Sequence, residues 1–168
     1  MVEILPHETR STDGKLFLLV EDSLDDAFLI EIEFRRSELA RLCIVREGQA
    51  AIDYLQGKFP YDDRKEYPLP NVILLDLKMP GKDGFDVLRW IRRQPLDQVG
   101  LTPIIVLSAS VAVEDVKLAY QLGANLFMTK PADGEELRER IRLLTKFWCA
   151  NVCTMNTVAA GMRGMAFA

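Results

Sequence analysis

The sequence has little of several residue types on which common functions depend. It contains one histidine, at position 7, and three cysteines, Cys43, Cys149 and Cys153. An odd number of cysteines without paired spacing does not predict a disulfide framework, and a single distant histidine does not favour a zinc site. Free thiols are typical of a reducing compartment, so we expect a cytoplasmic protein.

Long apolar runs and blocks of positive charge are also absent from the sequence. No run is long enough to span a bilayer, and residues 1–14 lack the apolar core of a secretory signal. The net charge is −4 and the arginines are dispersed. The sequence therefore indicates neither a nucleic-acid partner nor a membrane partner. Its 168 residues are enough for one domain with a buried core.

The sequence does contain a regular alternation of two hydrophobic patterns. Short apolar runs of strand length occur at five places, namely Leu16–Val20, Cys43–Val45, Val72–Leu75, Ile104–Leu107 and Leu126–Met128. Helical spacing follows each run, most clearly in the stripe from Leu137 to Trp148 and least clearly near Gln49–Gln56. This alternation predicts an α/β fold with a doubly wound parallel sheet and helices on both faces.

The domain organisation follows from where this alternation begins and ends. We predict a flexible polar leader over residues 1–14, one domain over residues 15–148 and a C-terminal extension over residues 149–168. Residues 58–70 contain three prolines and are predicted to form a surface loop before the third strand. We expect no second domain after Trp148, so any output would pass through protein contacts.

Polar side chains follow four of the five predicted strands. Glu21 and Asp22 follow the first strand, Asp76 the third, Ser108 the fourth and Lys130 the fifth. In an open parallel sheet, ligands bind beyond the carboxyl ends of the strands. We therefore expect these side chains to meet at one edge of the sheet.

Three of these side chains are carboxylates. Carboxylates about 5 Å apart repel by roughly 3 kcal/mol per pair at an effective dielectric near 20, unless a cation bridges them. Hard oxygen ligands suit Mg²⁺ or Mn²⁺, so Glu21, Asp22 and Asp76 are candidate metal ligands. Alone, the first two could instead compensate the dipole of the next helix, a role that Asp25 and Asp26 could also take.

The chemistry that these residues favour is phosphoryl transfer. A carboxylate such as Asp76 can act as a nucleophile and form an aspartyl phosphate. Phosphoryl transfer needs positioning and positive charge near the equatorial oxygens, which Lys130 and a metal ion would supply, and Ser108 could donate a hydrogen bond. Taken singly, Lys130 could form a surface salt bridge and Ser108 could be a helix cap. The Lys78 carbonyl could reach the metal, whereas the direction of the Lys78 side chain is left open.

With these positions assembled, the chain resembles the receiver domains of two-component response regulators. The resemblance covers roughly Lys15 to Trp148. It is carried by segments that occur in the family's order: Val20–Ser23, Leu75–Pro80 with Asp83–Gly84, Leu107–Ala109, and Thr129–Pro131.

The resemblance implies a flavodoxin-like sheet with strand order 2-1-3-4-5 and a set of site roles. Asp76 would accept the phosphoryl group, and Ser108 and Lys130 would contact it. Mg²⁺ would be the cofactor, held by Asp22, Asp76 and the Lys78 backbone carbonyl, with Glu21 bound through water. Ser108 would also belong to a conformational switch, together with Phe127.

The resemblance also implies partners. A sensor histidine kinase would supply the phosphoryl group, and a downstream protein or phosphotransfer partner would receive the signal. The loop at 58–70 and the Phe147–Trp148 ending look like the corresponding segments of short response regulators that are paired with phytochrome-type kinases. A homodimer is a further expectation, through the face of the fourth helix, fifth strand and fifth helix. Apolar residues of the fourth helix could build that face or could simply pack against the core.

Three alternatives remain beside the receiver. An aspartate-nucleophile phosphatase would need an acid two residues after Asp76, where the chain has Lys78. A flavodoxin would need a phosphate loop where the chain has the acidic run Glu21–Asp26, so no organic cofactor is expected. A phosphorylation-independent interaction module would use the scaffold alone. We expect no enzyme activity beyond self-catalysed phosphotransfer and autodephosphorylation.

Overall fold

The structure is a computed structural model in which residues 3–4, 15–95 and 99–151 are described. Within these residues strands and helices alternate along the chain, with the bounds β1 (Glu3–Ile4), β2 (Lys15–Val20), α1 (Leu24–Ser37), β3 (Ala40–Val45), α2 (Gly48–Gln56), β4 (Val72–Asp76), α3 (Gly84–Arg92), β5 (Ile104–Ser108), α4 (Val113–Gln121), β6 (Leu126–Thr129) and α5 (Gly134–Asn151). No helix in this described part of the chain is both long enough and apolar enough to cross a membrane.

The strands form one sheet in the order β1-β3-β2-β4-β5-β6. Strands β2 to β6 pair in parallel. Counted among themselves they have the order 2-1-3-4-5, which confirms the predicted fold class. The sheet has one strand more than predicted, because β1 pairs antiparallel with β3. This pairing satisfies backbone groups that β3 would otherwise expose at the edge of the sheet.

The β1 strand lies within the leader predicted over residues 1–14. Two residues of the leader that we expected to be flexible, Glu3 and Ile4, are paired with Ile44 and Cys43. Residues 5–14, with His7, lie outside the described residues, as do residues 152–168, with Cys153.

Helices cover both faces of the sheet, and each face has its own hydrophobic core. Leu18 and Val20 of β2 pack on the face covered by α2, α3 and α4. Phe17 and Leu19 pack on the opposite face against α1 and α5. Because both faces of β2 are buried, its sequence is a continuous apolar run rather than an alternating one.

The final helix extends beyond the boundary that we predicted at residue 148. Helix α5 continues to Asn151, so the first residues of the predicted extension belong to the domain. Lys15 Nζ donates hydrogen bonds to the carbonyl oxygens of Trp148, at 3.3 Å, and Cys149, at 2.8 Å. These carbonyls lie in the last helical turn, where they have no partner within the helix. The lysine at the start of β2 therefore stabilises this last turn.

The segment 58–70 is more than the surface loop that we predicted. Tyr61 is buried and its ring packs at a tilt against that of Tyr54 in α2, with ring centroids 5.3 Å apart, and Tyr67 contacts both rings edge-on. The Arg64 guanidinium donates hydrogen bonds to the carbonyls of Tyr54, Leu55 and Tyr67. These contacts hold the loop against the end of α2 and extend the core on the face of the sheet covered by α2, α3 and α4.

Candidate functional site

The parallel register brings the ends of β2, β4, β5 and β6 to one edge of the sheet. Val20 lies opposite Leu75, Asp76 opposite Leu107, and Ser108 opposite Thr129. The polar residues at or just after these strand ends are therefore neighbours in space. We call them the carboxyl-edge site, which comprises Glu21, Asp22, Asp76, Ser108 and Lys130.

Three acids of this site form a compact cluster. Each of Glu21, Asp22 and Asp76 offers a carboxylate oxygen, and these oxygens lie within 4.8 Å of one another. Glu21 is fully buried and Asp76 is nearly so. Backbone N–H groups fix both carboxylates: Ser23 N donates to Glu21 Oε1 at 3.1 Å, and Lys78 N donates to Asp76 Oδ1 at 3.2 Å. Hard oxygen donors at this spacing fit a divalent cation.

The pKa shifts of Glu21 and Lys130 show how burial and mutual attraction act on the charges of the cluster. Burial raises the pKa of Glu21 to about 7, against the opposing effect of the Lys130 charge, and the nearby Asp76 charge adds to the rise. Burial alone would lower the pKa of Lys130, but attraction and hydrogen bonds from Glu21 and Asp76 outweigh it and raise that pKa. The lysine is therefore charged in this site.

The Lys130 ammonium lies among the carboxylates. Its Nζ atom is 2.5 Å from Glu21 Oε2 and 2.9 Å from Asp76 Oδ2. Its side chain is only 7% exposed, so Lys130 does not form the surface salt bridge that we considered as an alternative. The structure thus brings the predicted lysine into direct contact with the predicted nucleophile.

Asp26 is a further member of this network that was not among the predicted site residues. Asp26 Oδ2 lies 3.0 Å from Lys130 Nζ, although we had considered Asp26 only as an acid near the start of a helix. The cap of α1 is Ser23, whose Oγ accepts a hydrogen bond from Asp26 N at 3.3 Å. No local sequence pattern indicated that Asp26 would contact a lysine in the loop that follows β6.

The loop between β4 and α3 is held close to Asp76 by a glycine. A Cβ atom on Gly84 would lie 2.1 Å from the carbonyl oxygen of Asp76, and Gly84 N donates to the Leu77 carbonyl at 3.1 Å. Only a residue without a side chain permits this approach. Gly84 therefore helps to set the backbone that carries Asp76 and Lys78.

The structure answers the question that the sequence left open for Lys78. Its side chain turns away from the acidic cluster, and its Nζ atom lies 3.2 Å from Asp115 Oδ2 in α4. The Ser110 hydroxyl donates to the same oxygen at 2.6 Å. Hydrogen bonds from Ser110 and Lys78 lower the pKa of Asp115. This contact joins the loop after β4 to the start of α4.

The two predicted switch residues lie on the same face of the sheet. Ser108 is fully buried and its Oγ accepts a hydrogen bond from Ser110 N at 3.1 Å. Phe127 is opposite Val106, two residues before Ser108 on β5, and it packs on the core under α4. Phe127 N donates to the hydroxyl of Tyr120 in α4 at 3.2 Å. Phe127 therefore contacts α4 on the face of the sheet that it shares with Ser108.

The fold and the carboxyl-edge site together define a class of signalling proteins. The model of the response regulator receiver domain matches residues 17–142, which is most of the chain. The chain therefore belongs to the response regulator receiver family of two-component signalling, as the sequence motifs predicted.

Comparison with individual relatives shows which response regulators the chain is similar to in sequence and structure. The chain is 36% identical over 144 residues to the response regulator Rcp1 of Synechocystis sp., covering 85% of this chain and 95% of Rcp1. A crystal structure of the phosphorylated cyanobacterial phytochrome response regulator RcpA is 32% identical, with a TM-score of 0.77, covering 83% of this chain and 97% of RcpA. A crystal structure of the Mn²⁺-bound form of Rcp1 is 35% identical, with a TM-score of 0.76, covering 83% and 98% of the two chains. The chain is thus similar to phytochrome-associated response regulators over nearly their whole length.

Proposed function

We propose that this receiver accepts a phosphoryl group from a histidine kinase on the carboxylate of Asp76. One observation carries the proposal: the charged Lys130 Nζ is held 2.9 Å from Asp76 Oδ2 in a nearly buried position. An ammonium there balances the charge of the carboxylate and can also contact an oxygen of the incoming phosphoryl group. Phosphoryl transfer depends on such positioning and on stabilisation of the transferred charge. The similarity to a phosphorylated response regulator, matched over 97% of its own length, supports this role.

We propose Mg²⁺ as the cofactor, held by Glu21, Asp22, Asp76 and the backbone carbonyl of Lys78, with Glu21 acting through water. The compact cluster of hard oxygen donors supports a divalent cation, and the Mn²⁺-bound form of Rcp1 supports the same class of ion. When bound, the ion would neutralise the charge that develops on the transferring group. No organic cofactor is part of this proposal.

Two side chains would contact the phosphoryl group once it is on Asp76. Lys130 would supply positive charge, and Ser108 would donate its hydroxyl hydrogen, since the Ser108 oxygen now accepts a hydrogen bond from Ser110 N. In the same step Ser108 would move toward the new anion, which carries about −1.5 to −2 charge near neutral pH.

Ser108 and Phe127 would then form the switch. The movement of Ser108 leaves space on the face of β5 that Phe127 shares, and Phe127 would turn toward that space. Because its backbone N–H is bonded to Tyr120 of α4, this movement would change the surface formed by α4, β6 and α5. Tyr120 and Phe147 are exposed there. We propose this surface as the contact for a downstream protein, a phosphotransfer partner or a second copy of the chain.

The kinase would be of the phytochrome type, since one similar structure is that of a phytochrome response regulator. We place the protein in the cytoplasm, an assignment supported by the free thiols of Cys43 and Cys149. Its chemistry would be limited to its own phosphorylation and dephosphorylation. The acid that a phosphatase needs two residues after Asp76 is replaced by Lys78, which pairs with Asp115.

Labelling with acetyl phosphate tests this function. With Mg²⁺ present, the wild-type chain is expected to gain one phosphoryl group, detected by mass spectrometry of the intact protein, and Asp76→Asn is expected to gain none. The matched control is Asp62→Asn, which removes an exposed acid and should leave labelling unchanged. Label that persists in Asp76→Asn would refute the assignment, and an unlabelled wild-type chain would favour the phosphorylation-independent module.

A further inference from the structure

The Lys130 ammonium has three N–H donors, and each one meets a carboxylate. The distances from Nζ are 2.5 Å to Glu21 Oε2, 2.9 Å to Asp76 Oδ2 and 3.0 Å to Asp26 Oδ2. Glu21 and Asp76 belong to the compact acidic cluster, whereas Asp26 is not one of its members. Two acceptors of Lys130 are therefore the proposed metal ligands, and the third is independent of them.

The start of α1 explains why Asp26 is available for this contact. Asp26 is three residues after the helix cap Ser23, the position whose acidic side chain commonly accepts a hydrogen bond from the N–H of the cap residue. Here Glu21 Oε1 accepts that hydrogen bond from Ser23 N. Ser23 Oγ in turn binds Asp26 N, which fixes the Asp26 backbone. The Asp26 carboxylate is thus held in place at the helix start without being used as a cap.

We propose that Asp26 is a positioning residue that retains Lys130 beside Asp76 when Glu21 and Asp76 share their charge with a divalent cation. This inference rests on the proposed function. With Asp26 present, the lysine keeps a carboxylate acceptor that does not belong to the metal cluster. Without it, Lys130 has only the acceptors that the cation also needs, so ammonium and cation compete directly for Glu21 and Asp76.

Calorimetric titration of the full-length protein with Mn²⁺ tests this role. Asp26→Asn is expected to raise the Kd for Mn²⁺ roughly three- to tenfold, which lies in the lower part of the range for residues coupled in one ion-pair network. Asp25→Asn is the matched control, because it removes an exposed acid from the same first turn of α1. Its effect should stay below about twofold, since exposed charges are screened by salt. Equal effects of the two substitutions would overturn the inference.

A second comparison separates an action through Lys130 from a direct effect of charge. In the Lys130→Met background, Asp26→Asn is expected to change the Mn²⁺ Kd no more than Asp25→Asn does. An undiminished effect of Asp26→Asn in that background would contradict the proposal. If Lys130→Met does not fold, Lys130→Gln replaces it in the same comparison, and an undiminished effect of Asp26→Asn in that background would again contradict the proposal.

Labelling by acetyl phosphate distinguishes failure of this inference from failure of the proposed function. If the inference holds, the Mg²⁺ concentration that gives half-maximal labelling rises in Asp26→Asn by the same factor as the Kd. A wild-type chain that takes no label would refute the proposed function by itself. A wild-type chain that is labelled, together with an Asp26→Asn variant of normal Mn²⁺ affinity, would refute only the role of Asp26.

Discussion

Replacing Lys130 with methionine would show how much one buried cation contributes to the stability of the receiver. Methionine has a similar length and no charge, so the substitution removes the ammonium while it retains most of the packing. Lys130 is nearly buried and contacts Glu21, Asp26 and Asp76. The variant therefore leaves three carboxylates without their shared counter-charge.

The expected loss follows from these contacts. Two unit charges about 4 Å apart attract by about 4 kcal/mol at an effective dielectric near 20, and removing one partner of a buried ion pair costs about 3 to 5 kcal/mol because the other charge is left uncompensated. Burial already raises the pKa of Glu21 to about 7. In the variant Glu21 would take up a proton, which limits the loss. We expect the free energy of unfolding of the metal-free protein to fall by about 3 to 5 kcal/mol.

Urea unfolding, followed by the fluorescence of Trp90 and Trp148, measures this change. The loss should be largest in EDTA and smaller in excess Mg²⁺, because an ion that binds the folded state replaces the missing charge and stabilises that state. Lys65→Met is the control, since Lys65 is exposed and surface substitutions usually change stability by less than about 0.5 kcal/mol. A Lys130→Met variant as stable as wild type in EDTA would refute this account.

Three further predictions concern other parts of the molecule. Gly84→Ala is expected to cost about 1 to 3 kcal/mol and to slow acetyl phosphate labelling, because its Cβ would lie 2.1 Å from the Asp76 carbonyl oxygen; normal labelling would contradict this. Arg92→Met should lower the free energy of unfolding by about 2 to 4 kcal/mol without changing the labelling rate, because its guanidinium binds carbonyls at the amino ends of β5 and β6. Burial raises the pKa of Cys43 to about 11, so iodoacetamide should modify this thiol only after unfolding, as peptide mapping would show.

The sequence predicted the parallel strands well because most of them are buried on both faces. Strand β4 is a continuous apolar run that ends at the functional Asp76, and all its residues are buried. Strand β3 begins three residues earlier than we predicted, at Ala40 instead of Cys43. Arg41 is exposed and interrupts the apolar pattern near the start of β3, which is the second strand from the edge of the sheet.

The parts of the site that could not be predicted depend on contacts between residues far apart in the chain. Lys130 and Asp26 are 104 residues apart, and each has an adequate local explanation. Acids in the first helical turn interact favourably with the helix dipole. Because this interaction already explains an acid at position 26, the sequence did not point to its contact with Lys130. The Lys78–Asp115 pair was missed for the same reason, because Asp115 also lies in a first turn, that of α4.

These two ion pairs share a property that suits a site for an incoming anion. Each lysine at the site is held by an acid in the first turn of a helix: Lys130 by Asp26 of α1, and Lys78 by Asp115 of α4. Both acids remain partly exposed, by 33% and 20%, and the helix dipole stabilises their charge when the lysine leaves. Lys78 can therefore turn from Asp115 to a phosphoryl group without leaving an unpaired buried charge behind, whereas Lys130 would also have to leave the fully buried Glu21. A fully buried partner would make the same movement costly.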